Sequence, residues 1–157
     1  MEILAKIWRM LHLPKSIQLF VMRIFEDQFL IGVTGIILNS KNEILLFKYG
    51  YRQTEWGLPG GYIKAKEHPQ EALEREIEEE TGYVVSVDEE LKIRTDRKSA
   101  RIDIGFVGKL MGGEFRKSSE VSEAKFFSFD NLPMLISKQQ LFIIEQTLYR
   151  KKLLTRS

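Results

Sequence analysis

Seven glutamates lie between residues 61 and 83, and this acidic segment restricts more than any other feature how the chain can fold. The same segment holds only three basic residues, whereas the whole chain carries 24 Lys and Arg against 22 Asp and Glu. The acidic segment therefore stands in a mildly basic surrounding. Such a distribution of charge suits a cation site whose substrate is itself an anion.

The acidic segment has the composition of a helix. Residues 68–81 consist mainly of strong helix formers. Pro69 stands in the expected first turn, where its missing N–H costs nothing, and Gly82 follows as a C-terminal stop. We therefore predict a helix over residues 68–81.

The glutamates of this helix are expected to divide between two faces. Residues three and four apart share a face, so Glu76, Glu79 and Glu80 are expected to point together at the rim of the core. The remaining helical glutamates are expected to face solvent: Glu71, Glu74 and Glu78. Two unit charges about 5 Å apart repel by roughly 3 kcal/mol at an effective dielectric constant near 20. Protons or a divalent cation such as Mg²⁺ or Mn²⁺ would offset this repulsion, although a merely solvated helix face stays open as an alternative.

The rest of the chain predicts a mixed α/β sandwich around this helix. Residues 56–61 are too rich in glycine for a regular element, so they are expected to form a shaped loop, and residues 112–113 a turn. Apolar periodicity predicts strands at 31–38, 43–49, 83–93, 102–110 and 124–129. It predicts further helices at 2–13, 15–27 and 136–154.

The acidic segment also carries a longer pattern of fixed spacing. From Gly61 to Tyr83 it reads Gly, five residues, Glu, seven residues, then Arg-Glu-Ile-x-Glu-Glu-x-Gly-Tyr. This resembles the Nudix box, G-x5-E-x7-R-E-U-x-E-E-x-G-U, where U is a bulky apolar residue. All seven fixed positions match, for which chance is on the order of 10⁻⁸ per start point. Tyr83 stands where an aliphatic residue is commoner. The likeness extends over roughly residues 30–150, because the preceding Trp-Gly-Leu-Pro-Gly and the order of elements are also similar to the Nudix family.

The resemblance implies a fold and a domain organisation. The expected fold is a Nudix-type α/β/α sandwich with a mixed central sheet. The expected organisation is a single domain over residues 1–157, with a helical extension at 1–29 and the Nudix core at 30–157.

The resemblance also implies a metal site. Glu76, Glu79 and Glu80 match the family's metal-binding glutamates, and Gly60 occupies the place of a glycine whose carbonyl binds the metal. The implied cofactor is Mg²⁺, with Mn²⁺ as a substitute. Glu67 and Arg75 match a supporting ion pair that holds the carboxylates in place.

A further acid, serving as ligand or general base, is expected from a loop beyond the box. Glu120 is the best candidate for it by position, and Glu123 is the second. Glu76 itself is the other candidate for the general base. Lys48 and Arg52 are candidates to bind substrate phosphates, although ordinary surface charge is the slightly better explanation of both.

The implied activity is hydrolysis of a diphosphate linkage in a nucleoside diphosphate or triphosphate derivative by a metal-activated water. Sequence marks of individual subfamilies are absent, so sugar nucleotides, damaged dNTPs and 5′-triphosphate RNA ends all stay open as substrates. The alternative is a non-catalytic module of the same fold that senses nucleotides or binds nucleic acid. A net charge of +2 does not indicate a general nucleic-acid binder.

The remaining expectations concern partners and location. No signal peptide or membrane span is apparent, and the chain has no cysteine, so we expect a cytoplasmic protein. A homodimer is expected from the family. The two N-terminal helices are expected to cover the sandwich or to pair subunits. Contact with an anionic membrane surface through Lys6, Arg9, Lys15 and Arg23 is the less favoured alternative.

Overall fold

The structure is a computed structural model that describes residues 14–50, 56–97, 99–133, 136–137, 140–145 and 147. The predicted helix at 2–13 and the candidate phosphate ligand Arg52 lie outside the described residues. The predicted helix at 136–154 is described in part, and its residues 140–145 and 147 are helical.

Two helices with both ends described and seven strands are assigned, besides the helical residues 140–145 and 147 near the C-terminus. The helices are α1 (Lys15–Phe25) and α2 (Pro69–Thr81). The strands are β1 (Leu30–Leu38), β2 (Ile44–Tyr49), β3 (Trp56–Gly57), β4 (Gly60–Tyr62), β5 (Tyr83–Asp96), β6 (Arg101–Gly113) and β7 (Val121–Phe127). A short 3-10 helix follows at Phe129–Asn131.

The seven strands form one mixed sheet, as predicted. Its main path runs β3-β2-β1-β6-β5, with β4 paired to β1 and β7 paired to β2. β1 runs parallel to β6 and antiparallel to β2 and β4. β1 therefore has β6 along one side and meets β2 and β4 along the other, so it is central to the sheet.

The turn between β1 and β2 is organised by one side chain. Asn39 Oδ1 accepts hydrogen bonds from the backbone N–H groups of Lys41 and Glu43, each at 2.9 Å. Asn42 adopts a positive φ of 60°, which asparagine tolerates better than most residues. This chemistry joins the two predicted strands in a hairpin, in which Leu38 is paired with Ile44.

The sheet is buried on both faces because its central strands are apolar at nearly every position. Alternate side chains of a strand point to opposite faces, so β1 and β2 supply two separate cores. The first lies under α2 and includes Val33, Ile37, Leu45, Phe47, Leu73 and Ile77. The second includes Ile36, Ile44, Leu46, Leu58, Ile136 and Ile144.

Helix α2 begins and ends where the sequence predicts. Pro69 is its first residue, and the Glu71 carboxylate accepts a hydrogen bond from His68 N at 2.9 Å. Gly82 ends the helix with a φ of 75°, and its N–H donates to Glu78 O at 2.8 Å. These end contacts set where α2 begins and ends, whereas its buried face, which includes Leu73 and Ile77, sets its rotation above the sheet.

Three expectations are corrected by the structure. Residues 56–61 are not purely loop, because Trp56–Gly57 and Gly60–Tyr62 pair with β2 and β1. Gly112 and Gly113 belong to β6, since they pair with the start of β5. Glu74 is half-buried and not solvated, because its Oε1 accepts a hydrogen bond from Val87 N at 2.8 Å. Glycine content does not reveal which strands these residues pair with, and helix periodicity does not reveal that Glu74 meets the backbone of Val87.

Helix α1 lies apart from both cores. None of its residues is buried, and large apolar side chains such as Phe20 and Phe25 are 64% and 80% exposed. No helix within the described residues combines the length and hydropathy that crossing a membrane requires.

Candidate active site

A polar pocket of about 400 Å³ lies where β1, β4 and α2 meet. The acidic side chains that line it are Glu76, Glu80 and Glu120. Its other lining residues are Val33, Thr34, Leu58, Gly60, Gly61, Tyr62, Arg101 and Gln140. The pocket therefore brings the second half of the acidic segment together with residues distant in sequence.

The approach of Glu76 to the sheet depends on Gly61. A Cβ atom added at Gly61 would lie 2.5 Å from both Cγ and Oε2 of Glu76. Real Cβ atoms essentially never approach other atoms so closely, so only glycine leaves room for this carboxylate. At Gly60 an added Cβ would instead overlap the backbone carbonyl of Val33. The two glycines thus allow β4 to lie close to β1 and to Glu76.

Arg75 connects the carboxylates around the pocket. Its Nε and Nη2 donate to the two oxygens of Glu67 at 2.5 and 3.0 Å, which is the ion pair expected from the sequence. Its Nη1 donates to Glu76 Oε1 at 2.7 Å and to Glu79 Oε2 at 3.1 Å. Its Nη2 also donates to Tyr62 O at 3.1 Å, so Arg75 ties β4 to α2. Arg75 thereby offsets part of the repulsion that sequence reasoning assigned to protons or a cation.

These contacts shift the pKa values of the ion pair. The hydrogen bond from Arg75 lowers the pKa of Glu67 from its usual 4.5 to about 2, with a further contribution from the Lys64 N–H. The hydrogen bond to Glu67 raises the pKa of Arg75 against the effect of burial. Both groups are therefore charged at neutral pH, and the pair is a fixed ionic support for Glu76.

The three glutamates expected to converge are only partly brought together. Glu76 is 18% exposed at its side chain, and Glu80 Oε2 is buried. The Glu79 side chain is 55% exposed and turns toward Arg75 and Lys64. Within the described residues, no group of three acidic or imidazole side chains is close enough to hold a metal ion. The expected convergence is therefore corrected for Glu79, because two nearby cations hold its carboxylate to one side.

The two candidate acids beyond the box lie in different surroundings. Glu120 lines the pocket in the loop just before β7. Glu123 does not line it and lies within β7, where Lys48 Nζ is 2.9 Å from Oε1 and Lys125 Nζ is 2.5 Å from Oε2. Hydrogen bonds from Lys125 and Lys48 lower the pKa of Glu123 to about 2. Lys48, a candidate phosphate ligand, thus pairs with Glu123 outside the pocket lining.

Sequence reasoning missed several residues that line the pocket. Arg101 begins β6, Tyr62 ends β4, and Gln140 belongs to the C-terminal helical segment. Tyr62 lies inside the acidic segment but at a variable position of the motif, and only the tertiary structure brings Arg101 and Gln140 to that segment. The parallel pairing of β1 with β6 places Arg101 beside Leu30, at the start of both strands.

A comparison with known families identifies the chain. A family model described as the NUDIX domain matches residues 28–147. The chain belongs to the NUDIX family. The match begins within two residues of the start of β1 and includes the whole sheet, α2 and every described residue that lines the pocket.

Three NUDIX relatives are similar to this chain in sequence or in fold. The ADP-ribose pyrophosphatase of Methanocaldococcus jannaschii is 36% identical over 111 residues, which cover 67% of this chain and 65% of the relative. The chain thus spans about two thirds of the length of this relative. An ADP-ribose pyrophosphatase from Streptococcus suis superimposes with a TM-score of 0.62 at 26% identity, covering 74% of this chain and 89% of that one. A UDP-X diphosphatase superimposes with a TM-score of 0.67 at 25% identity, covering 88% and 73%.

The donor types of this NUDIX site suit a divalent cation of the Mg²⁺ type, although within the described residues its carboxylates are not gathered around one point. Mg²⁺ prefers hard oxygen ligands, and the pocket offers three carboxylates beside the backbone of Gly60 and Gly61. Because Gly61 has no Cβ atom, no side-chain carbon of this residue crowds the carboxylate of Glu76. Neither cysteine nor a histidine lines the pocket among the described residues, which disfavours softer metals.

Proposed function

We propose that this protein hydrolyses a diphosphate linkage in a nucleoside diphosphate or triphosphate derivative, with Mg²⁺, or Mn²⁺ in its place, as cofactor. The observation that carries the proposal is the pocket in which Glu76, Glu80 and Glu120 meet the glycines of β4. The names of the relatives, two ADP-ribose pyrophosphatases and a UDP-X diphosphatase, support a diphosphate as the group that is cleaved.

The glutamates of the site and Gly60 have proposed roles. Glu76 and Glu80, together with Glu79 and the carbonyl of Gly60, are the metal ligands. When bound, the cation neutralises phosphate charge and lowers the pKa of a water molecule. Glu79 joins the set only by turning its side chain away from Lys64 and Arg75.

The neighbouring side chains are proposed to position the ligands and to move a proton. Arg75 holds Glu76 at 2.7 Å, and Glu67 fixes the guanidinium of Arg75 by two hydrogen bonds. Glu120 takes the proton from the attacking water on a carboxylate oxygen. It is a better candidate than Glu123, whose pKa of about 2 makes it a weak base and whose carboxylate is bound by two lysines.

A panel of nucleotides with matched variants tests this proposal. The wild-type protein is expected to hydrolyse at least one of ADP-ribose, a UDP-sugar and 8-oxo-dGTP with Mg²⁺, and EDTA should abolish turnover. Glu76→Gln, Glu80→Gln and Glu120→Gln are each expected to lower kcat about a hundredfold or more. The control is Glu78→Gln, because Glu78 is exposed on the same helix outside the pocket lining and should leave kcat near the wild-type value.

Two results would contradict the proposal. Turnover near the wild-type rate in both Glu76→Gln and Glu80→Gln would remove their assignment as ligands. Nucleotide binding without turnover of any member of the panel would favour the non-catalytic alternative. Triphosphorylated RNA ends belong in the same panel, since the sequence leaves them open as substrates.

We also propose that the protein is a homodimer that acts in the cytoplasm as one domain, residues 1–157, with a Nudix core at 30–157. The exposed apolar side chains of α1 support pairing of subunits through residues 1–29.

Lys48 and Arg52 stay predictions as phosphate ligands. The pairing of Lys48 with Glu123 weighs against a role for Lys48 in binding phosphate.

A further inference from the structure

The guanidinium of Arg101 lines the pocket beside its carboxylates. Arg101 is the cationic side chain that lines the pocket among the described residues, where Glu76, Glu80 and Glu120 also lie. Its side chain keeps 38% of its surface exposed. The proposed function assigns it no role, and no motif in the sequence includes it.

The orientation of Arg101 is fixed by a buried acid. Asp103 is 8% exposed. Its Oδ1 accepts a hydrogen bond from Arg101 Nε at 2.7 Å and lies 2.5 Å from Arg101 Nη2. On the strand pairing, Asp103 is opposite Gly32 of β1. A Cβ atom added at Gly32 would lie 2.6 Å from Asp103 Oδ1, so a glycine at this position makes room for the ion pair.

Tyr62 supports the same guanidinium from β4. The Arg101 Cζ atom lies 5.6 Å from the centre of the Tyr62 ring, within the range of a cation–π contact. Arg101 Nη1 also donates to the Tyr62 hydroxyl at 3.5 Å. Two strands therefore hold one side chain in place, which is the arrangement of a preorganised binding group.

Asp103 offsets the charge of Arg101 only in part. Arg94 Nη2 is 3.6 Å from Asp103 Oδ2, so two guanidinium groups share one carboxylate. A guanidinium has five N–H donors, and the three contacts of Arg101 to Asp103 and Tyr62 leave N–H groups to bind a further acceptor. Phosphate oxygens suit this fork because arginine binds them through two parallel hydrogen bonds.

We infer that Arg101 binds a phosphoryl group of the nucleotide in this pocket, and that Asp103 is the residue that positions it. The inference rests on the proposed function for the class of ligand, a nucleoside diphosphate. Arg101 acts in binding: it anchors the phosphoryl group through direct hydrogen bonds, while the carboxylates on α2 serve the metal.

The test measures binding and turnover separately. The Kd for ADP is measured by titration calorimetry in magnesium-containing buffer, with chromatography to verify that the ADP stays intact. Arg101→Gln is expected to raise the Kd about tenfold to a hundredfold, as for the loss of a charge-assisted hydrogen-bonded contact. Arg101→Lys keeps the charge but loses the paired N–H donors of the guanidinium, so its Kd should lie between those of the wild type and Arg101→Gln. With whichever nucleotide is turned over, Arg101→Gln should raise KM and leave kcat nearly unchanged.

Lys109→Gln is the matched control, since Lys109 is an exposed cation on the same strand β6 and does not line the pocket. It should bind ADP like the wild type. Thermal unfolding of each variant checks that the fold is kept, and Arg101→Lys provides the test if Arg101→Gln does not fold.

The two proposals fail in different ways. If Arg101→Gln and Arg101→Lys bind ADP like the wild type, or if the wild type does not bind ADP, the inference about Arg101 is overturned. If ADP binding depends on Arg101 but no nucleotide is hydrolysed, the inference holds and the proposed hydrolase activity fails.

Discussion

Gly61 and Glu76 lie so close together that no side chain fits between them. Gly61 belongs to β4 and is paired with Val33 of β1, so the sheet fixes its position. Glu76 belongs to α2 and is held by Arg75. The first glycine of the acidic segment is therefore explained by packing against a carboxylate of the site, and not by a turn, because its φ is not positive.

Gly61→Ala is expected to move Glu76 while leaving the fold in place. The added methyl group would overlap the carboxylate, and displacing a ligand commonly costs about tenfold to a hundredfold in metal affinity or activity. Overpacking should lower stability by only about 1–3 kcal/mol. The measurements are kcat/KM with Mg²⁺ and the midpoint of thermal unfolding. Gly112→Ala is the control, since an added Cβ there meets nothing within 4 Å; equal activity of the two variants would contradict the argument.

Helix α2 is tied to the loop before it by the pair of Glu67 and Arg75. Arg75 reaches Glu67, Glu76, Glu79 and the carbonyl of Tyr62, so a single side chain fixes the helix to β4. These hydrogen bonds of Arg75 join helix α2 to strand β4, and a helix and a strand share no backbone hydrogen-bond ladder. At the scale of elements, the ion pair therefore sets the position of the carboxylate-bearing face.

The ion pair makes stability depend on acid pH in a defined direction. The pKa of Glu67 is about 2 in the folded chain, below its usual 4.5, so the folded state binds this proton less readily than the unfolded state. The contribution of Glu67 to the free energy of unfolding is present above about pH 4.5 and is lost as the pH falls from there toward 2. Urea unfolding at several pH values should give a shallower dependence over this interval for Glu67→Gln than for the wild type.

Glu78→Gln serves again as the control, because Glu78 is exposed on the same helix outside the pocket lining, and the pH dependence of its stability should follow the wild type. Glu123 also has a pKa of about 2, but it is present in all three proteins and cancels from the comparison. Identical pH dependences for Glu67→Gln and the wild type would contradict the expected linkage.

The whole molecule carries a large apolar surface outside its two cores. Six large apolar side chains of α1 are exposed: Ile17, Leu19, Phe20, Met22, Ile24 and Phe25. Monomeric proteins seldom expose contiguous apolar surface of this kind. Residues 15–27 hold two basic and two acidic side chains, a balance that favours a protein surface over an anionic membrane.

If α1 pairs two subunits, polar substitution of its exposed phenylalanines should produce a monomer. The variant is Phe20→Ser with Phe25→Ser in the full chain, and the measurement is molar mass by light scattering. Phe142→Ser is the control, since Phe142 is exposed at 53% in a different element. A wild-type monomer, or a double variant that stays dimeric, would contradict this role of α1. Sedimentation of the wild type with anionic vesicles, lost in the double variant, would favour the membrane alternative.

Local sequence determined the elements and the identity of the acidic site. Helix α2 lies within one residue of its predicted bounds, because Pro69 and Gly82 encode the two ends by their own backbone chemistry. The mixed sheet follows from runs of apolar residues whose lengths and separations are visible in the chain. The pair of Glu67 and Arg75 could be predicted from the motif, since both residues stand at its fixed positions.

Tertiary structure alone decided which side chains share the pocket. Arg101 and Tyr62 reach it through the register of β1 with β6 and β4, and register depends on contacts between strands far apart in sequence. Glu79 turns aside because Lys64 and Arg75 compete for its carboxylate, although helix spacing alone groups it with Glu76. Periodicity specifies the face from which a side chain leaves its helix. The direction in which its last atoms point is set by the charges that the fold brings within a few ångströms.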